Sequence, residues 1–252
     1  MNTWRPWRNV ESLLRSEYVI GIIRVVVAIQ AITLMLCYTL WVSEGCDPFV
    51  PFISDTDTNP VSGLYFTIGF TVSGLLLVVV GIQSYFLRRD WWGANTDGDG
   101  MALLNITSAA SAVIAGASLA WIADTPWDEQ MELHLLQARL VFCGSIIWAI
   151  SSTLITSRMN DEQPAFSALL ARRRALTLFT ALCMVGMVVS VVSYSGMSLA
   201  VPESYLDSLR ACTELNVTPL SIAATFEWLV AIGLIGVIHS CIDEVRLLSK
   251  GQ

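Results

Sequence analysis

The chain has 252 residues, of which 54% are hydrophobic and only 14% charged, and its formal net charge is −7. Soluble globular domains carry about a quarter charged residues, so the composition excludes an ordinary soluble fold and places the chain in a bilayer. An acidic balance with no basic stripe to track phosphates also excludes a nucleic-acid binder.

Six apolar stretches reach the roughly 20 residues needed to cross a hydrocarbon core. They fall at about 18–42, 63–87, 101–123, 135–157, 174–199 and 219–242. The expected fold is all-α: a polytopic six-transmembrane-helix bundle forming a single domain over 1–252. The N-terminal segment "MNTWRPWRNVESLLRSEY" is polar and amphipathic, and the apolar run behind it is too long for a cleaved signal peptide, so the first span is expected to remain as a signal anchor. Eleven of the fourteen Lys and Arg residues fall in the N-terminal segment, the second and fourth loops and the C-terminal tail. Positive loops stay in the cytosol, which predicts that both termini are cytosolic and that the first, third and fifth loops face outward.

The first loop, "GCDPFVPFISDTDTNP" at 45–60, therefore faces out. Its apolar half, Phe49 to Ile53, is expected to fold back onto the mouth of the bundle or the lipid interface. Asp55, Asp57 and Asn59 read as turn formers and caps for the entry to span 2, since short polar side chains bond nearby backbone. Cys46 and Cys212 are the two cysteines in outer loops. On the oxidising side of the secretory pathway they either pair or remain free thiols. Cys37, Cys143, Cys183 and Cys241 lie inside spans and read as small packing residues. Of two glycosylation sequons, Asn105 lies within span 3 on its cytosolic half and should be silent, and Asn216 lies too close to span 6 for ready modification.

Polar groups inside spans are costly and mark partners or function. Glu227, about two turns into span 6, would cost ~3 kcal/mol if ionised and unpaired. His134 opens span 4 at a similar depth, and Asn105, Thr107 and Ser108 in span 3 can bond across helices. One reading of this outer-face and intramembrane polar cluster, Asp55, Asp57, His134, Glu227 and Asn105, is structural glue. The other is a lumen-facing pocket for a lipid headgroup near Asp55, His134 and Glu227. Catalysis is disfavoured: the two histidines, His134 and His239, belong to opposite membrane sides, and no nucleophile elbow, zinc-protease or P-loop motif occurs. No metal or other cofactor is expected. On the cytosolic side, Arg172, Arg173 and Arg174 are either a stop-transfer anchor or a basic patch for phosphoinositides or a cytosolic protein partner. "DEVRLL", Asp243 to Leu248 with Leu247 and Leu248 as the paired leucines, is either an acidic dileucine sorting signal or an ordinary span exit.

Two stretches together carry a family likeness. "DPFVPFISDTDTNP" resembles the P-x-x-P-[YF]-I-S-D-T-G-T-x-P signature of the damage-regulated autophagy modulator (DRAM) family. "LSIAATFEWLVAIGLIGVIHSCIDEVRLL" resembles that family's last span, with its glutamate–tryptophan pair. Asn105 with Ser108, and His134, also sit at expected family polar positions. The chain departs at Asp57, where the signature has glycine, and at Val61, where a second proline is usual. The wider group contains Sfk-type proteins linked to phosphatidylinositol 4-kinase and GPI-anchor lipid-remodelling proteins. The resemblance implies a non-enzymatic multi-pass regulator of autophagy, endolysosomal function or phosphoinositide-linked lipid homeostasis, in an endolysosomal or plasma membrane. The alternative is a lipid-binding or lipid-remodelling protein that uses the outer pocket.

Overall fold

The computed structural model describes residues 14–95, 100–195, 207 and 217–250. Six long helices follow one another: α1 (Ser16–Ser43), α2 (Pro60–Asn95), α3 (Gly100–Ile122), α4 (Met131–Glu162), α5 (Ser167–Ser195) and α6 (Thr218–Lys250). Short 3₁₀ turns at Ile53–Asp57 and Pro164–Phe166 precede α2 and α5, and there is no strand among the described residues. All six helices are long and apolar enough to cross a membrane. Their outward faces carry Ile32, Met35, Leu75, Leu103, Leu182 and Val185, each more than half exposed. A helix keeps its backbone hydrogen bonds internal, so this surface is stable against lipid chains. The protein is an integral multi-pass membrane protein.

Each helix packs on its neighbour in the chain, and α6 returns to pack on α1, so the bundle is a closed ring. Small residues set a close crossing between α2 and α3. A Cβ on Gly74 would lie 2.6 Å from the Gly116 carbonyl oxygen, and one on Gly116 would lie 2.7 Å from that of Gly74. Neither backbone can retreat, so glycine is what permits this approach.

The helices run on past the apolar spans at one end of the ring. Composition ends three of the spans at about 87, 157 and 242, yet α2 continues to Asn95, α4 to Glu162 and α6 to Lys250. α2, at 36 residues, is about 54 Å long, against a hydrocarbon core of roughly 30 Å. The extensions are amphipathic and bury a core of their own: Trp91, Met159, Phe166 and Leu248 are at most 2% exposed, and the Trp91 and Phe166 rings meet edge-on at 5.6 Å. A mean-hydropathy window stops where charged residues begin, whereas the helical period continues. We call this the arginine end of the ring, and the end bearing the 53–57 turn the turn end.

Candidate functional site: a cavity beneath the 53–57 turn

At the turn end α1 stops in a Schellman-type cap. Gly45, at φ 86°, allows the Cys46 N–H to bond the Trp41 carbonyl at 3.3 Å and its own N–H to bond Val42 at 3.1 Å. Asn59 starts α2 as its N-cap, accepting the Val61 N–H at 2.9 Å, with Pro60 in the first helical position where its missing N–H costs nothing. Between these caps the chain dips toward the ring. Asp55 Oδ2 accepts the Phe52 N–H at 2.8 Å. α6 then fastens the turn with two adjacent residues: Glu227 Oε2 accepts the Ile53 N–H at 2.6 Å, and Trp228 Nε1 donates to the Pro51 carbonyl at 2.8 Å. A Cβ on Gly63 would meet the Asp57 carbonyl oxygen at 2.5 Å, so the turn also lies directly on α2. Cys46 is disulfide-bonded, while Cys37, Cys143, Cys183 and Cys241 are free. Cys212 and Asn216 lie outside the described residues.

Beneath the turn lies a cavity of about 450 Å³ that touches all six helices. Most of its wall is apolar, including Leu77, Ala115, Trp148, Val192 and Ile238, and its polar lining includes Asp55, His134 and Glu227. These three side chains are buried, at 1%, 4% and 8% exposure. His134 Nδ1 lies 2.6 Å from the Thr125 carbonyl. A carbonyl only accepts, so Nδ1 carries the hydrogen and Nε2 of the neutral ring is an acceptor. Gln137 Nε2 donates to Thr125 Oγ1 at 3.1 Å and steadies the same loop.

The carboxyls of the turn lie in a poorly hydrated setting. Burial pushes the Asp55 carboxyl up to about 8, nearby Glu227 pushes the same way, and the Phe52 N–H and the Trp127 side chain work against them. Asp57 is raised to about 7, first by burial and then by Asp128 and Asp124.

Of the five residues of the expected polar cluster, Asp55, His134 and Glu227 come together around this cavity. Asp57 and Asn105 do not line it. Asp57 is buried under the turn, facing the α3–α4 loop. Asn105 lies toward the arginine end of α3, where its amide donates to the Tyr85 carbonyl at 2.9 Å. That is the cytosolic half of span 3 expected from its position in the sequence.

Removing the staple should be measurable. Glu227→Ala leaves the partly buried Ile53 N–H without its acceptor, a loss of about 1–3 kcal/mol. Glu227→Gln keeps an acceptor and should lose less. Thermal unfolding in detergent checks this; a Glu227→Ala protein as stable as the parent would show that the contact carries no weight.

The arginine end holds a second polar assembly. Glu244, 1% exposed, takes Arg88 on both carboxylate oxygens, at 2.7 and 3.0 Å, and Arg173 at 2.8 Å. Arg88 also donates to Ser108 and Ser152, and Arg173 to Thr156 and Ser240. One carboxylate thereby joins α2, α5 and α6, and the hydroxyls bring in α3 and α4. This corrects three sequence-based expectations. Arg88 belongs to the interior, not to a cytosolic loop. Arg173, at 0% exposure, cannot serve a surface basic patch; Arg172 and Arg174 remain at the surface, and Arg172 is paired with Asp243 at 2.9 Å. The dileucine reading fails for a related reason: Leu247 and Leu248 are within α6, and Leu248 is 2% exposed, whereas an adaptor needs an accessible segment. The missed signal was Glu244, a carboxylate one helical face away from Asp243 and Arg246, close behind an apolar span.

A protein-family model described as the Frag1/DRAM/Sfk1/Cwh43P N-terminal domain matches residues 19–246. The match takes in all six helices, the 53–57 turn, Glu227 and the Glu244 network. The chain belongs to this family. Searches of curated proteins and of solved structures gave no match. Within the Frag1/DRAM/Sfk1/Cwh43P domain, the loop string that carried the resemblance is the turn over the cavity, and the glutamate–tryptophan pair of the last span is what holds it down.

Proposed function

We propose that this protein binds a membrane lipid in the cavity beneath the turn and serves lipid homeostasis of its membrane as a binding protein rather than as a catalyst. The observation that carries the reading is the chamber of about 450 Å³ inside six membrane-crossing helices, apolar along most of its wall and bordered by buried Asp55, His134 and Glu227. A long apolar volume with a small polar region has the shape of an amphiphile, and its size falls within the roughly 300–1,000 Å³ of small-molecule sites. The competing reading, a cytosolic scaffold built on Arg172–Arg174, loses Arg173 to the interior.

The turn end faces the outer or lumenal side in this proposal, and the arginine end faces the cytosol. The distribution of Lys and Arg supports that orientation, and so does a disulfide at Cys46, which belongs in an oxidising compartment. Cys212 is its proposed partner. An endolysosomal or plasma membrane address, with a part in autophagy or phosphoinositide-linked homeostasis, rests on the family resemblance.

Native mass spectrometry after mild detergent extraction tests the reading. The parent protein should retain lipid. Ala138→Trp, which places an indole in the cavity from α4, should release it without lowering the melting temperature by more than a few degrees. Ala231→Trp, from α6, repeats the test from another wall. An empty parent protein, or equal retention by folded plug variants, overturns the proposal.

A further inference from the structure

Resting on that reading, the geometry points to a neutral, hydroxyl-bearing lipid that enters the cavity sideways from the bilayer between α4 and α5. The entrance follows from where these helices touch. Their hydrogen bonds lie toward the arginine end: Thr153 with Thr177 at 2.9 Å, Thr177 with the Ala149 carbonyl at 3.4 Å, and Arg174 with Ser157 at 3.4 Å. Arg173 adds a bond to Thr156 at 2.6 Å. Farther toward the turn end, Arg139 and Cys143 of α4 and Val188 of α5 each line the cavity and are each exposed on the outer surface. A residue that does both marks a place where the chamber reaches the outside. α5 is also the least buried of the six spans, at 11% of its apolar window against 33–44% for the others. The wall between α4 and α5 therefore opens toward lipid rather than toward water.

The chemistry of the head follows from the polar lining. Glu227 offers a carboxylate, Asp55 a carboxyl, and His134 an acceptor nitrogen, all nearly fully buried. A phosphate or carboxylate placed among them would meet no cation to balance it, and an ionised Glu227 would repel it, because like charges in a poorly hydrated site are costly. Arg139 is the sole Lys or Arg among the described lining residues, and it lies at the opening. A hydroxyl can donate to Glu227 or His134 and can accept from the Asp55 carboxyl when that is protonated. It satisfies every state of this group without carrying a charge into it.

Binding of a fluorescent dioleoylglycerol to the purified full-length protein in detergent tests the head class. Unlabelled dioleoylglycerol should displace it, and dioleoyl phosphatidic acid, with the same chains, should compete at least about tenfold less well, the effect of one hydrogen bond to a charged group set against repulsion. The methyl ether of dioleoylglycerol, which lacks the donor, should also compete less well. Glu227→Gln should narrow the preference over phosphatidic acid, while Arg139→Gln should not. Equal or better competition by phosphatidic acid that is still abolished by Ala138→Trp leaves a lipid site but overturns the head assignment. Loss of binding only with Arg139→Gln places the head at the opening and overturns it too. No binding of any probe that Ala138→Trp or Ala231→Trp can abolish overturns both this inference and the lipid-binding reading. For the entrance, crosslinking Cys143 to a cysteine placed at Val188 should slow probe entry at least about tenfold, and reduction should restore it. Unchanged entry in the crosslinked protein rejects the side route.

Discussion

Replacing Glu244 with alanine is expected to remove about 3–5 kcal/mol of stability. The carboxylate is the common acceptor of Arg88 and Arg173, and without it two guanidinium groups, at 3% and 0% side-chain exposure, face each other with only neutral partners: hydroxyls, the Ser152 carbonyl and the Cys241 thiol. Removing one partner of a buried ion group costs more than the group itself contributes, because the remaining charges stay desolvated. A domain's whole margin is about 5–15 kcal/mol, so the variant should express poorly or unfold well below the parent. Changing all three residues to methionine removes the stranded charges as well, and the triple variant should be more stable than Glu244→Ala alone. Arg246→Ala, which removes a half-exposed side chain from a surface pair with Asp243, should be nearly neutral. Thermal unfolding of the four proteins in one detergent settles the order; a Glu244→Ala protein that melts with Arg246→Ala would refute the network.

Raising the pH is expected to loosen the turn end. Asp55 and Asp57 have carboxyls lifted from the ordinary value of 3.8 to about 8 and about 7. A carboxyl whose folded value is raised binds its proton more tightly in the folded state. Its contribution is complete below about pH 4 and is lost as the pH rises through about 7 to 8. The loss grows across that window as each buried carboxyl is forced to ionise. Stability in detergent should therefore be higher at pH 5 than at pH 8.5, opposite to the trend of a protein held by paired carboxylates. Asp55→Asn keeps an oxygen for the Phe52 N–H and cannot ionise, so it should flatten the profile without loss at pH 5. A profile that rises with pH, or one unaffected by Asp55→Asn, would contradict the burial assigned to these carboxyls.

Much of this architecture could be read from the residues. Six apolar runs gave six helices in order, and the string 45–60 gave both the family resemblance and the turn that folds back over the bundle. Its apolar half behaves unevenly: Pro51 and Ile53 meet α6 through their backbone, while Phe49 stays 45% exposed. Asp55, His134 and Glu227 could be grouped by depth because each is a polar residue close to the same membrane boundary. Asn105, early in span 3, could be placed on the cytosolic half by position, away from that boundary, though its face could not be read. The Glu244 network is hidden because charged residues beside a span read as anchors. Only the ring, which brings Arg88 and Arg173 to α6 from 156 and 71 residues away, turns those anchors into an interior ion group.

The central claim is that lipid occupies the chamber, not merely the outer surface. A diacylglycerol carrying a diazirine at the end of one chain, irradiated with the protein in bilayer nanodiscs and followed by peptide mass spectrometry, tests it most directly. Adducts are expected on chamber residues such as Phe142, Met184 and Leu234, lost in Ala138→Trp. Adducts confined to outward residues such as Leu75, Leu103 and Leu182, unchanged by that substitution, would contradict it.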